Sequence, residues 1–380
     1  MRYRKFGSTG FDISALGYGC MRLPEYQKDG IWYMREEESE ALLLKAVELG
    51  INYFDSAYYY CHQNSERMMG KALRHVRDKI KLSTKLPVSD DVINGTNGGL
   101  RKMLDESLRR MNTDYVDYYH MWGIGKGDID RMLPAGVLKE ALKAKDEGLI
   151  KHISFSTHDT PDNIKYIIDR GEVFESVLCQ YNLLDRKNEP AIAYAASKGL
   201  GVTVMGPLAG GRLGGPGIVY EKLTGKKSSG SHELGLRFVL GNPNVSCALS
   251  GMETISDIEQ NASAVSSEEP FSEKERESAV ELMRELKEFS ELYCTGCNYC
   301  NGCPQKINIP HVLSHHTLYH VYGLTEGAKA SYIDYLSWEA PMPGDCVDCG
   351  LCEEKCPQKL EIRKLIKQID EFMRGLLNSK

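Results

Sequence analysis

Between Ala15 and about Val265, short apolar runs alternate with stretches in which apolar residues recur at three- and four-residue spacing. The runs are ALGYGC, NYFDSA, IKLSTKL, YVDYYHMW, HISFST, SVLCQYN, GVTVMGPL and VSCALSG, eight in all. Short and apolar, they read as strands. The intervening stretches read as amphipathic helices. EEESEALLLKAVELG closes at Gly50, and in GGLRKMLDESLRRM the residues Leu100, Met103, Leu104, Ser107, Leu108 and Met111 share one face. Eight strand-then-helix units predict a parallel sheet, and eight is the number that closes a (β/α)8 TIM barrel of roughly 250 residues. Ahead of the first strand, YRKFGSTGFDIS predicts a small hairpin that plugs the barrel's base.

The pattern breaks twice. Ala209 to Ser231 is too glycine-rich for an element and too long for a tight turn, which predicts a mobile loop that closes over a ligand. After Val265, SSEEPFSEKERESAVELMRELKEFSE predicts an acidic-capped helix that leaves the repeat. A boundary near Leu286 is expected, with the barrel at 1–285 and a smaller, mainly α-helical domain at 286–380.

Composition narrows the function. The 380 residues are 42% hydrophobic and 26% charged, ordinary for a globular protein of two domains. No apolar run reaches the roughly 18 residues of a membrane span, and MRYRKFGSTGFDIS lacks a secretory stretch, so a cytoplasmic protein without membrane partners is expected. A net charge of -6 with no long basic block gives no electrostatic case for nucleic acid. Small-molecule chemistry is the expectation that remains.

Of 12 cysteines, Cys20, Cys61, Cys179 and Cys247 are scattered and eight crowd into two bursts, a distribution typical of metal ligation. Cys294, Cys297, Cys300 and Cys303 are followed by Pro304; Cys346, Cys349, Cys352 and Cys356 are followed by Pro357. The second burst has the bacterial ferredoxin spacing, and the first is one residue shorter before its last cysteine. Three thiolates at intervals of three wrap three corners of a 4Fe-4S cubane, while the cysteine before proline serves the neighbouring cluster. That logic assigns Cys294, Cys297, Cys300 and Cys356 to one cluster, and Cys346, Cys349, Cys352 and Cys303 to the other. Zinc sites would need only two ligand pairs each and leave the third cysteine and the prolines unexplained. Between the bursts, His311, His315, His316 and His320 stand at helical spacing, either as metal ligands or as packing residues on a connecting helix.

Barrel enzymes carry their chemistry at the carboxyl ends of the strands. Strand two ends in FDSAYYYCHQNSE and strand three in STKLP, which brings Asp55, Tyr60 and Lys85 together. A phenol titrates near 10, so an adjacent ammonium that lowers that value would make it an effective acid, with the carboxylate holding the ammonium.

These residues resemble the aldo-keto reductase family over about three quarters of the chain, and the tail is similar to a subgroup carrying ferredoxin-type clusters. The resemblance implies reduction of a small-molecule carbonyl by hydride transfer from NADP or NAD, with Asp55, Tyr60 and Lys85 as three of four catalytic residues. The family register puts Trp122 where the fourth, a histidine, is expected; His120 lies two residues earlier, and either could take the place. Ser156 and Gln180 match the positions that hold the nicotinamide carboxamide. Gly206, Pro207, Leu208 and Gly210 of GPLAGG match the family's loop after strand seven. Gly251, Thr254, Asp257, Gln260 and Asn261 of SGMETISDIEQN match its nucleotide motif after strand eight, with Gln260 and Asn261 facing the adenine. Glu253 and Asp257 would repel a 2′-phosphate, whereas Lys226 and Lys227 would attract one. The two clusters imply an electron-transfer protein as partner, or a structural role. Alternatives are a cluster-fed reductase acting on another bond and a redox sensor without turnover.

Overall fold

The computed structural model describes residues 1–183, 185–208, 232–267, 269–285, 294, 297–316, 319, 325–337 and 341–378. The glycine-rich loop with Gly210, Lys226 and Lys227, the expected boundary at Leu286, and His320 lie outside the described residues. The chain forms two compact units, one of Met1–Pro207 with Leu236–Ser272 and one of Leu208–Gly235 with Glu273–Lys380.

In chain order the strands are β1 (Tyr3–Lys5), β2 (Asp12–Ser14), β3 (Leu16–Gly19), β4 (Glu25–Lys28), β5 (Ile31–Met34) and β6 (Tyr53–Asp55). β7 (Lys81–Pro87), β8 (Val116–Trp122), β9 (Ile150–Thr157), β10 (Ser176–Gln180), β11 (Gly201–Met205) and β12 (Cys247–Ser250) follow. β3 and β6 to β12 close into a barrel, each paired in parallel with its neighbours. All eight predicted strands are in it. Their continuous apolar runs fit strands buried on both faces, one inside the barrel and one under the helices. The helix Gly99–Met111 buries Leu100, Leu104, Ser107, Leu108 and Met111 of the face that its periodicity marks, with Met103 partly buried at its edge.

The opening segment is the expected plug. β1 and β2 pair antiparallel, and Phe6, wholly buried, joins Ile13, Tyr53, Tyr118, Leu178, Cys247 and Leu249 in one apolar cluster. Gly7 makes that docking possible. Its φ is +54°, and a Cβ there would stand 2.3 Å from the Gly201 nitrogen.

One element was not anticipated. β4 and β5 form an antiparallel hairpin, turning at Asp29 (φ 52°) and Gly30 (φ 77°). Asp-Gly with both residues left-handed is the favoured two-residue hairpin turn, so the signal was present in the sequence. Its exposed apolar residues hid it, because no alternating buried face marks the flanking strands.

The described part of the second unit is helical. Ile309–His316, Thr325–Ser337 and Ile362–Asn378 surround a core that includes Val312, Leu313, Tyr332, Ile366, Ile369 and Met373. The helix Ile309–His316 carries the expected histidines, and His315 is wholly buried. Its ring stands edge-on to His311 at 4.8 Å and to Tyr332 at 5.3 Å. Burial, then His311, hold its pKa down to about 4, so it packs as a neutral aromatic.

Replacing Gly7 by alanine should cost about 2–3 kcal/mol, because the new methyl group meets backbone and the left-handed conformation is strained. Thermal unfolding of the variant checks this.

Candidate active site and cysteine cavities

The carboxyl ends of β6 and β7 bring an acid and an amine into contact. Lys85 Nζ donates to Asp55 Oδ2 at 2.5 Å and to the Ser56 carbonyl at 2.6 Å. Lys85 is 1% exposed and Asp55 3%. Ser83, two residues before Lys85 and therefore on the same strand face, donates its hydroxyl to Asp55 Oδ1 at 2.7 Å. Desolvating either charge alone would be costly, so each requires the other.

Tyr60 follows β6 by five residues and is half-buried. Lys85 Nζ lies 4.6 Å from its ring centroid. The sequence led us to expect the ammonium to lower the phenol's pKa. Instead burial, then the charge of Asp55, raise it well above the ordinary value. The reason is geometric: the ammonium is already taken up by Asp55 and the Ser56 carbonyl. At neutral pH Tyr60 therefore keeps its proton.

Around the fourth position the two candidates separate. His120 pairs with Lys85 in the β7–β8 register, is wholly buried, and shares a 3.3 Å hydrogen bond between its Nε2 and the Tyr53 hydroxyl. Its Nε2 is 4.0 Å from Asp55 Oδ1. Burial first holds its pKa down to about 4, with Asp55 opposing, so the ring is neutral. Trp122, one strand repeat further along, stands edge-on to Tyr60 at 5.7 Å. The indole, not the imidazole, thus has the ring contact with Tyr60.

The other predicted residues among those described lie at or after the ends of β9 to β12. Ser156 Oγ accepts the Gly123 N–H at 2.9 Å, tying the end of β9 to the turn after β8. Gln180 ends β10 and is buried; its amide packs against Gly206, whose φ of +63° favours glycine. Pro207 and Leu208 follow directly. Asn182, missed in the sequence, donates to the Gly206 carbonyl at 2.9 Å.

After β12, Gly251 leads to a helix, Ile255–Ser267, that caps itself. Asp257 Oδ2 accepts the N–H groups of Thr254 at 2.9 Å and Glu253 at 3.2 Å, and Thr254 Oγ1 accepts the Asp257 N–H at 3.1 Å. Glu253 pairs with Arg22 at 3.5 Å. Asn261 is buried and donates to Ser250 Oγ at 3.3 Å, while the exposed Gln260 donates to Ser256 Oγ at 2.9 Å.

In the second unit the thiols line two cavities. One, of about 320 Å³, is walled by Cys294, Cys297, Cys300 and Cys356 with apolar Leu313, Leu360 and Ile362. The other, of about 430 Å³, is walled by Cys303, Cys346, Cys349 and Cys352, and Cys300 also borders it. Each burst thus sends its proline-flanked cysteine to the cavity of the other. Backbone geometry repeats too: Asn298 and Gly350, each after a second cysteine, and Lys306 and Lys359, each three residues after a last cysteine, are all left-handed. Among the described residues no three His, Cys, Asp or Glu side chains converge on one metal ion. A donor set spread round a cavity suits a polynuclear cluster whose irons each take one thiolate. Burial, then Cys294 and Cys297, push the Cys300 thiol up to about 12, so thiolates assembled there require a cationic partner.

Comparison with known proteins bears on both units. A model described as the aldo/keto reductase family matches residues 15–283. The chain belongs to that family. A second, described as a 4Fe-4S dicluster domain, matches residues 293–361. Among curated proteins, L-galactose dehydrogenase of Arabidopsis thaliana is 31% identical over 74% of this chain and 94% of its own. An uncharacterized oxidoreductase of Bacillus subtilis, YqkF, is 28% identical over 70% of this chain and 91% of its own. Among solved structures, the holo form of an aldo-keto reductase from Bacillus halodurans superposes with a TM-score of 0.61 at 29% identity, covering 74% of this chain and 96% of that one. This aldo/keto reductase therefore has the family's barrel and, beyond it, an iron–sulfur domain.

His120 should make the barrel acid-sensitive. Unfolded, its imidazole titrates near 6.5; folded, near 4. Between these values the unfolded chain binds a proton the folded chain refuses, so stability falls as pH drops from about 6.5 to about 4, by about 3 kcal/mol from this group. Urea unfolding across that range should show His120→Gln losing less stability than the unsubstituted chain.

Proposed function

We propose that this aldo/keto reductase reduces a small-molecule carbonyl with NADH, with Tyr60 as proton donor, and holds two 4Fe-4S clusters. The observation that carries the first part is the buried Asp55–Lys85 pair beneath the Tyr60 ring at the barrel rim. Bound reduced nicotinamide supplies a hydride to the carbonyl carbon. Tyr60, kept protonated by burial, gives its proton to the carbonyl oxygen, so the substrate gains a hydride and a proton, one C–H and one O–H bond form, and the nicotinamide would leave oxidised. The phenolate left behind would have its ring over the Lys85 ammonium, whose position Asp55 fixes. Ser156 and Gln180 orient the carboxamide from the ends of β9 and β10.

The preference for NADH is supported by the helix Ile255–Ser267. Just ahead of it, the N–H groups of Glu253 and Thr254 are taken by Asp257 Oδ2, so a 2′-phosphate at this helix start would meet a carboxylate. Glu253 is held beside it by Arg22. NADH is expected to bind at least about tenfold more tightly than NADPH, and Asp257→Asn to narrow the gap.

For the clusters, the crossed thiol sets support one cubane on Cys294, Cys297, Cys300 and Cys356 and one on Cys303, Cys346, Cys349 and Cys352. Cubanes exchange single electrons, whereas nicotinamide donates hydride. Trp122 in place of an imidazole favours a second reading, in which the clusters feed a substrate bond other than a carbonyl.

Four measurements test these assignments. Tyr60→Phe should lower kcat for aldehyde reduction by about 10²–10⁴, and, because its pKa is raised, the unsubstituted rate should not fall as pH rises from 7 to about 9. Undiminished turnover in the variant would remove Tyr60 from the role. Cys303→Ser and Cys356→Ser should each lose about half of the bound iron and sulfide, and anaerobic NADH should leave the cluster absorbance unbleached. Bleaching by NADH alone favours the second reading.

A further inference from the structure

Immediately after Tyr60 come three consecutive non-glycine residues in the left-handed region, Cys61 (φ 49°), His62 (φ 50°) and Gln63 (φ 70°). Such residues are individually uncommon and costly, and a run of three persists only where its surroundings over-determine it. Two sets of contacts do so. From the hairpin of β4 and β5, the Trp32 ring stacks on the His62 ring, with centroids 4.4 Å apart and planes 2° from parallel. Glu25 of the same hairpin meets His62 Nδ1 at 3.1 Å. On the other side, Arg110 donates to the Tyr58 carbonyl and to Gln63 Oε1, both at 3.0 Å, and lies 3.9 Å above the Tyr58 ring. Arg110 is itself fixed by Glu66 and Glu106.

We propose that Trp32, through its stack on His62, is a positioning residue for Tyr60: it holds the left-handed turn that sets the phenol over Lys85. This rests on Tyr60 being the proton donor. The hairpin is then not decoration on the rim. It is the outer jaw of a clamp whose inner jaw is Arg110, with residues 61–63 held between them. Release of the outer jaw lets residues 61–63 relax toward ordinary backbone angles and moves Tyr60, which heads the segment. Displacements of about 1 Å cost up to about 10²-fold in rate.

The test uses the full chain with its clusters. Trp32 is 39% exposed, so its replacement spares the core. Trp32→Ala should lower kcat for aldehyde reduction about 10–100-fold, with KM for nucleotide and aldehyde within about twofold. Trp32→Phe, which keeps a stacking ring, should stay near the original rate. Limited chymotrypsin digestion, mapped at Tyr58 to Tyr60, gives a readout free of catalysis: cleavage should accelerate in Trp32→Ala and stay slow in Trp32→Phe. Unchanged kcat and cleavage in Trp32→Ala, a change in aldehyde KM alone, or an equal loss in Trp32→Phe would overturn the clamp. Tyr60→Phe is the separate control. If it keeps full rate, the proton-donor assignment falls, and the cleavage pattern alone decides whether the clamp exists.

Discussion

A lysine ammonium and an aspartate carboxylate, both nearly sealed from water, cannot exist singly in a barrel of Tyr, Phe, Leu and Ile. Lys85 and Asp55 solve this by facing each other across neighbouring strands, with Ser83 and the Ser56 carbonyl completing their hydrogen bonds. The pair fixes how β6 and β7 end relative to each other. It also holds the ammonium 4.6 Å from the centroid of the Tyr60 ring. Burial that would defeat an isolated charge thus becomes the source of a rigid, oriented cation at the rim.

The cysteine unit is governed by a related constraint with different chemistry. Burial pushes the thiols of Cys300 and Cys352 up, so a cationic cluster in either cavity would stabilise the thiolates that line it. Crossing one cysteine from each burst into the other cavity makes each site depend on both segments. Residues about fifty apart in sequence are thereby tied together without a large core, which suits a unit built on a few helices.

Much of the site was legible because its signals are local. Asp55 and Tyr60 are five residues apart, Lys85 ends a strand, and the cysteine intervals state their own chemistry. What was not legible depends on environment. The expected lowering of the Tyr60 pKa assumed a free ammonium, but Asp55 had already claimed it. The acids near the nucleotide motif looked like free charges; in the fold Asp257 caps its own helix and Glu253 pairs with Arg22, a residue 231 positions away. Arg110 and Asn182 escaped notice because Tyr58 and Gly206, whose carbonyls they bind, lie 52 and 24 positions away.

The sequence by itself determined the eight strands, the plug ahead of them and the grouping of thiols, since each is encoded by periodicity or spacing over a few residues. Tertiary structure decided which of His120 and Trp122 meets Tyr60, whether Lys85 is free to act on the phenol, and what holds the left-handed turn after it. Those questions turn on distance and desolvation between segments remote in the chain, and neither quantity exists until the barrel has closed.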